Sequence, residues 1–229
     1  MKLLLKVFLA TSLIITYEVR AQEYLSPHSL MLGMAGQYFE KLKTVFKDAY
    51  ASDSTVQVMI RSSSPEKVIY IKDTARGHML FSSTASVRVY DVDVKENWKE
   101  IEQARGIKIQ GVDALQALGD VQDIRLSTKS RNISPELYAK LRELWQQELM
   151  SVRRNAGGKP SLTLDGATYD YSLRLSQVVF ISGTAADGAS QRLDKLASIA
   201  YDLELLVDEK KSEGEILKEI SVFNQMPAI

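Results

Sequence analysis

Not one of the 229 residues is a cysteine, so no disulfide framework, thiolate-bound zinc or iron–sulfur centre can brace this chain, and no lipidated cysteine can tether it. Whatever it folds into must be held by packing. That requires a sizeable core, which a chain of this length with 45% hydrophobic residues can supply.

The first residues carry the clearest instruction. Lys2 and Lys6 frame an apolar run from Leu3 to Tyr17 that ends in Val19-Arg20-Ala21. A cationic start, a short hydrophobic stretch and small residues three and one before a cut form an export signal, with cleavage expected between Ala21 and Gln22. The run of about 15 residues falls short of the roughly 20 that a spanning helix needs. Cleavage is therefore expected rather than anchoring; the alternative is an uncleaved amphipathic anchor, because Glu18 and Arg20 lie close to the cut. The expected location is periplasmic or secreted, with membrane contact only through the signal if it is retained.

The precursor carries 29 basic and 29 acidic residues. Removing Lys2, Lys6, Arg20 and Glu18 leaves 26 and 28, a net charge of minus two. Without a basic surplus there is no electrostatic footprint for nucleic acid.

Along the remaining chain, Met31, Met34, Ala35, Tyr38, Leu42, Val45 and Phe46 recur at helical spacing and predict a helix over 30–50. A strand-rich stretch follows, with strands expected at 55–61, 68–71, 78–81 and 85–92 in an antiparallel meander. Helical spacing returns from Val94 to Ala104 and, briefly, from Asp113 to Leu118, each stopped by a glycine, Gly106 and Gly119. A strand is expected from Val121 to Thr128.

Ser134-Pro135-Glu136 combines a capping serine, a first-position proline and an acid at the helix's positive end. The helix it opens carries a stripe of Leu137, Leu141, Leu144, Trp145, Leu149 and Val152. Asp165-Gly166 then suits a two-residue hairpin turn. In that register Leu164 faces Ala167 and Leu162 faces Tyr169, with Tyr171 on the same core surface and Thr163, Thr168 and Asp170 on a wet one. A third strand is expected at 177–182, and Ser190 caps a helix along Leu193, Leu196, Ala200, Leu203 and Val207. The apolar tail after Glu215 predicts a late helical turn or a docking strand.

The fold class this predicts is α+β, with antiparallel sheet packed against long helices behind a cleavable signal helix. Three segments are expected: the signal at 1–21, a helix plus strand-rich lobe at 22–130, and a helix-hairpin-helix lobe at 131–229 that shares one core with it.

Chemistry-bearing residues are sparse. The two histidines are His28 and His78; Asp73 precedes His78 by five residues, so a His–Asp dyad is conceivable. Asp91 and Asp93 would share a strand face, and Asp165, Asp170 and Asp187 would occupy turns or wet faces. Gly157-Gly158-Lys159 lacks the spaced glycine and following helix of a phosphate loop. The serine clusters at 62–64 and 82–83 lack a nucleophile elbow. No catalytic residue, cofactor-binding residue or metal ligand is assigned. The triplet Tyr169-Asp170-Tyr171, two rings and a carboxylate, is the candidate partner-binding site.

Leu144-Trp145, Leu149, Arg153, Leu164-Asp165-Gly166-x-x-Tyr169 and the closing leucine helix resemble a pattern in uncharacterised exported bacterial proteins. The resemblance covers about the last 95 residues and implies no activity, cofactor or substrate. The expected function is a non-catalytic periplasmic protein that binds another envelope protein, as an inhibitor, an immunity-like protein or an accessory component would. The alternative is a cysteine-free envelope hydrolase using carboxylates.

Overall fold

The computed structural model describes residues 25–27, 34–108, 113–152, 166–177 and 179–227. The signal and its cut at Ala21 and Gln22, His28, Gly157-Gly158-Lys159 and Asp165 lie outside the described residues. The expected α+β class is the one observed: an antiparallel sheet and five helices of twelve or more residues.

Strand β1 (Ser26–Pro27) is short, and helix α1 spans Met34–Val45. Strands β2 (Ser54–Arg61), β3 (Lys67–Thr74) and β4 (Gly77–Ala85) form a meander, followed by helix α2 (Val89–Arg105) and the short helix α3 (Asp113–Gln116). Strand β5 (Leu126–Ile133) returns to the sheet, and helix α4 (Pro135–Met150) leaves it. Strands β6 (Thr168–Arg174) and β7 (Phe180–Ala186) come next, then helices α5 (Gln191–Val207) and α6 (Glu213–Gln225). The strand order is β1-β7-β6-β2-β3-β4-β5, antiparallel throughout. Pairing of β6 with β2 runs one sheet through both of the expected lobes.

Alternation along the strands sorts the two faces. Val56, Val58, Ile60, Ile69, Ile71, Leu80, Tyr169, Tyr171 and Leu173 pack with residues of α4, α5 and α6 in one core. Met59, Val68 and Tyr70 point the other way and meet Tyr38, Leu42 and Phe46 around α1, and Val89 of α2. A central strand covered on both faces has no wet side.

Two expectations are corrected by this arrangement. The wet face expected of β6 is absent: both its hydrogen-bonding edges are occupied, Tyr169 pairing with Ile60 and Ala185, and Asp170 is buried, while Leu162 and Leu164 lie outside the described residues. Residues 85–92 are not a strand: β4 ends at Ala85 and α2 begins at Val89, so Asp91 and Asp93 are helical. The apolar tail takes the helical one of its two expected forms, extended to thirteen residues and opened by a capping box in which Ser212 Oγ accepts from the Glu215 amide and Glu215 accepts from the Ser212 amide. The expected lobes at 22–130 and 131–229 meet within β5, whose exposed Lys129 and polar neighbours pair with β4 along eight positions.

The α4 signals behave as expected. Ser134 Oγ accepts from Leu137 N, and Glu213 of α6 accepts from the Ser134 amide, so the start of α4 is tied to the start of α6. Trp145 Nε1 donates to the Gln57 carbonyl at 3.1 Å and pins α4 to the sheet.

Candidate functional site

The triplet Tyr169-Asp170-Tyr171 lies in the interior of β6, with the three residues 2%, 7% and 1% exposed. Tyr169 and Tyr171 belong to the core beneath α4 and α5, where Tyr171 meets Trp145 edge-on with ring centroids 5.4 Å apart. These rings offer no surface for stacking. The Tyr171 hydroxyl has no hydrogen-bond partner among the described residues, and burial pushes it well above the ordinary phenol value.

Asp170 projects to the opposite face, where it grips Arg61 of β2 in a two-pronged pair, Nε to Oδ2 at 2.6 Å and Nη2 to Oδ1 at 3.1 Å. Burial works to lower the Arg61 pKa, and the Asp170 carboxylate overrides it, leaving the guanidinium above its usual value. The Phe39 ring of α1 covers the guanidinium at 5.2 Å. Tyr50 faces the same cluster and is pushed up to about 12, chiefly by burial and then by Asp170.

Glu66, 1% exposed, stands at the entrance of β3. It accepts from Tyr38 Oη at 2.8 Å, from the Val89 amide at 2.6 Å and from the Tyr90 amide at 3.0 Å. The carboxylate thereby caps α2 from another element and holds α1 against it. Tyr38 is raised above the ordinary phenol value, first by burial and then by Glu66. Arg61 and Asp170 neutralise each other and Glu66 is met by one hydroxyl and two amides, an arrangement that fixes α1 and α2 on the sheet.

The conceivable His–Asp dyad does form. His78 of β4 lies opposite Asp73 of β3, Nδ1 to Oδ1 at 2.8 Å, and its ring stacks on Tyr138 of α4 with centroids 3.7 Å apart. Asp91 and Asp93 go elsewhere: Asp91 accepts from Arg88, and Asp93 accepts from Lys41 at 2.7 Å and Asn97 at 3.1 Å. Asp187 is exposed in the turn after β7, its amide bonded to the Ala167 carbonyl. Ser83 meets Thr128 across the β4–β5 pair, and Ser62 caps its own turn through the Ser64 amide. The structure thus brings together Asp73 with His78, and Asp170 with Arg61, but disperses Asp91, Asp93 and Asp187.

Two surface features lie outside the expected triplet. At the β6–β7 turn, where the Leu175 amide donates to the Val179 carbonyl, Leu175, Val179 and Phe180 are 38%, 47% and 65% exposed. Three exposed apolar side chains within six residues of one turn stand apart from the scattered exposed leucines of any surface. At the far edge of the sheet, β5 pairs with β4 alone, without a bulge over eight residues. The first was readable as Val179-Phe180 following a turn; the second needed the strand order.

No protein-family model, curated protein or solved structure matches this chain. The class is therefore set by the geometry alone: an α+β protein with one antiparallel sheet covered by helices on both faces.

Proposed function

We propose that this is a non-catalytic exported protein, resident in the periplasm or beyond, that binds another envelope protein through the turn between β6 and β7. The observation that carries the reading is the exposed trio Leu175, Val179 and Phe180, an apolar projection of the kind that anchors protein interfaces when it docks into a pocket. The amino-terminal signal supports the location. The buried pairs of the interior support the absence of catalysis by contrast, since Arg61, Asp170 and Glu66 are each spent on holding elements together.

A photo-crosslinking side chain placed at Phe180 in the native host tests this. A discrete adduct at Phe180, lost when Val179 is changed to Ser and absent when the crosslinker sits at Tyr201 of α5, is the expected result. Failure of Phe180 to crosslink, together with a hydrolytic activity abolished by His78→Gln or Asp73→Asn, overturns it in favour of an envelope hydrolase.

A further inference from the structure

The outer edge of β5 has a definite hydrogen-bonding parity. The Ala85 amide donates to the Glu66 carbonyl on the β3 side, whereas the Ser86 amide donates to the Arg125 carbonyl on the β5 side. Successive residues of a strand turn their backbone groups to opposite neighbours. Thr84, Ser82 and Leu80 therefore face β5, and their partners Ser127, Lys129 and Arg131 are the residues bonded inward. Leu126, Thr128, Ser130 and Asn132 direct their N–H and C=O groups away from the sheet, and among the described residues no hydrogen bond satisfies them. The register is continuous, from Ala85↔Leu126 to His78↔Ile133. This is a ready template for one more strand.

The charge of the edge selects what that strand is. From Ile124 to Ile133 the sequence holds Arg125, Lys129 and Arg131 and no carboxylate. Lys129 and Arg131 stand on the α5 side, where Lys129 meets Asp208 at 2.7 Å and Arg131 Nη1 donates to the Leu206 carbonyl at 2.9 Å. Asp208 also accepts from Lys210, so one carboxylate serves two lysines. A second copy of the chain is disfavoured by the same cations. Antiparallel self-pairing centred on Ser130 sets Lys129 against Arg131 twice, and the next allowed register sets Lys129 against Lys129; like charges directly opposed destabilise a ladder.

We propose that the free edge of β5 accepts an extended acidic peptide segment of a partner protein as an additional antiparallel strand, with its carboxylates alternating along the face that carries Lys129 and Arg131. The proposal rests on the reading that this protein binds another protein, but on a different surface from the β6–β7 turn.

The test uses the full chain and a synthetic peptide of alternating Thr and Glu, with a Thr–Lys peptide as control, read by amide hydrogen exchange. The Thr–Glu peptide should slow exchange at Thr128, Ser130 and Asn132 about tenfold when present at roughly ten times its Kd, and the Thr–Lys peptide should not. Ser130→Pro removes an outward donor without touching a bond to β4, a substitution edge strands tolerate; it should keep the thermal midpoint and lose the protection. Lys129→Glu should weaken the acidic peptide at least several-fold. Equal protection by both peptides, protection that survives Ser130→Pro, or protection without peptide that tracks dimer formation in sedimentation would each overturn the proposal. If the edge stays open while Phe180 still crosslinks to a partner, the edge proposal fails and the binding function stands; if neither engages anything, both fall.

Discussion

Glu66 closes the amino end of α2 from 23 residues away in sequence, accepting from the Val89 amide at 2.6 Å. The residue before the helix, Arg88, makes no side-chain cap of its own. A cap supplied by another element couples three parts at once: the start of β3, the first turn of α2 and, through Tyr38, helix α1. Glu66→Ala should cost about 3 kcal/mol, because it strips acceptors from two helix-start amides and a buried hydroxyl together. Tyr38→Phe should cost about 1 kcal/mol. Urea unfolding monitored by circular dichroism measures both, and a Glu66→Ala loss below about 0.5 kcal/mol would remove Glu66 from this role.

Tyr171 provides the opposite case. Its hydroxyl is buried without a partner among the described residues, so deleting it removes a desolvated group rather than a bond. Tyr171→Phe should leave stability unchanged or raise it by up to about 1 kcal/mol. A loss of that size in the same urea experiment would reveal a partner for the hydroxyl.

These two tyrosines show what the sequence can and cannot disclose. Local signals were legible: Ser134-Pro135, Ser190 and Gly106 mark helix ends that the structure places at Pro135, Gln191 and Arg105, and the alternation of Val56, Val58 and Ile60 marks β2. Non-local ones were not. The start of α2 is written at Glu66, and Val87, Val89 and Tyr90 have the β-branched and aromatic character of a strand. Asp170 between two tyrosines reads as a wet-face residue until Arg61, on another strand, is known to face it. Position 212–215 is different: its Ser-x-x-Glu box was present in the sequence and marks α6. The edge of β5 depends on strand order, which periodicity does not encode.

The Arg61–Asp170 pair should prove sensitive to halving. Removing one partner leaves a charge under α1, and Asp170→Ala should cost about 3 kcal/mol. Changing both, Arg61→Met with Asp170→Leu, should recover most of that loss, since the apolar replacements fill the layer without a stranded charge. A double-mutant cycle in urea decides it; additive losses would mean that the two side chains are not coupled.

Acid should erode stability through a separate group of carboxylates. Hydrogen bonds and ion pairs hold four below their ordinary values: Asp120 by Lys95, Asp208 by Lys129 and Lys210, Glu215 by Ser212, and Glu219 by Lys195. Each binds fewer protons folded than unfolded, so its contribution is fully present above its unfolded value and is lost as pH falls through the depressed folded one. Stability should hold from neutrality down to the ordinary glutamate value of 4.5 and decline below it. Glu219→Gln should make the acid limb shallower in urea midpoints measured from pH 7 to pH 3, and an unchanged slope would exclude Glu219 from it.

Gly183 is required by proximity. It pairs with Tyr171 in β6 and Pro27 in β1, and it lies under the end of α4. A Cβ built there would stand 2.8 Å from Val152 Cγ2, 3.0 Å from Leu25 Cβ and 3.3 Å from Leu149 Cδ2. The first two are closer than carbon atoms pack, and Leu25, fully buried, has no room to retreat. Gly183→Ala should therefore destabilise by about 1–3 kcal/mol, although alanine elsewhere in a strand would be favoured over glycine. Val152→Ala in the same chain removes the nearest methyl group and should return part of the loss. A Gly183→Ala protein as stable as the original would mean that β1 and the end of α4 do not close on β7 at this distance.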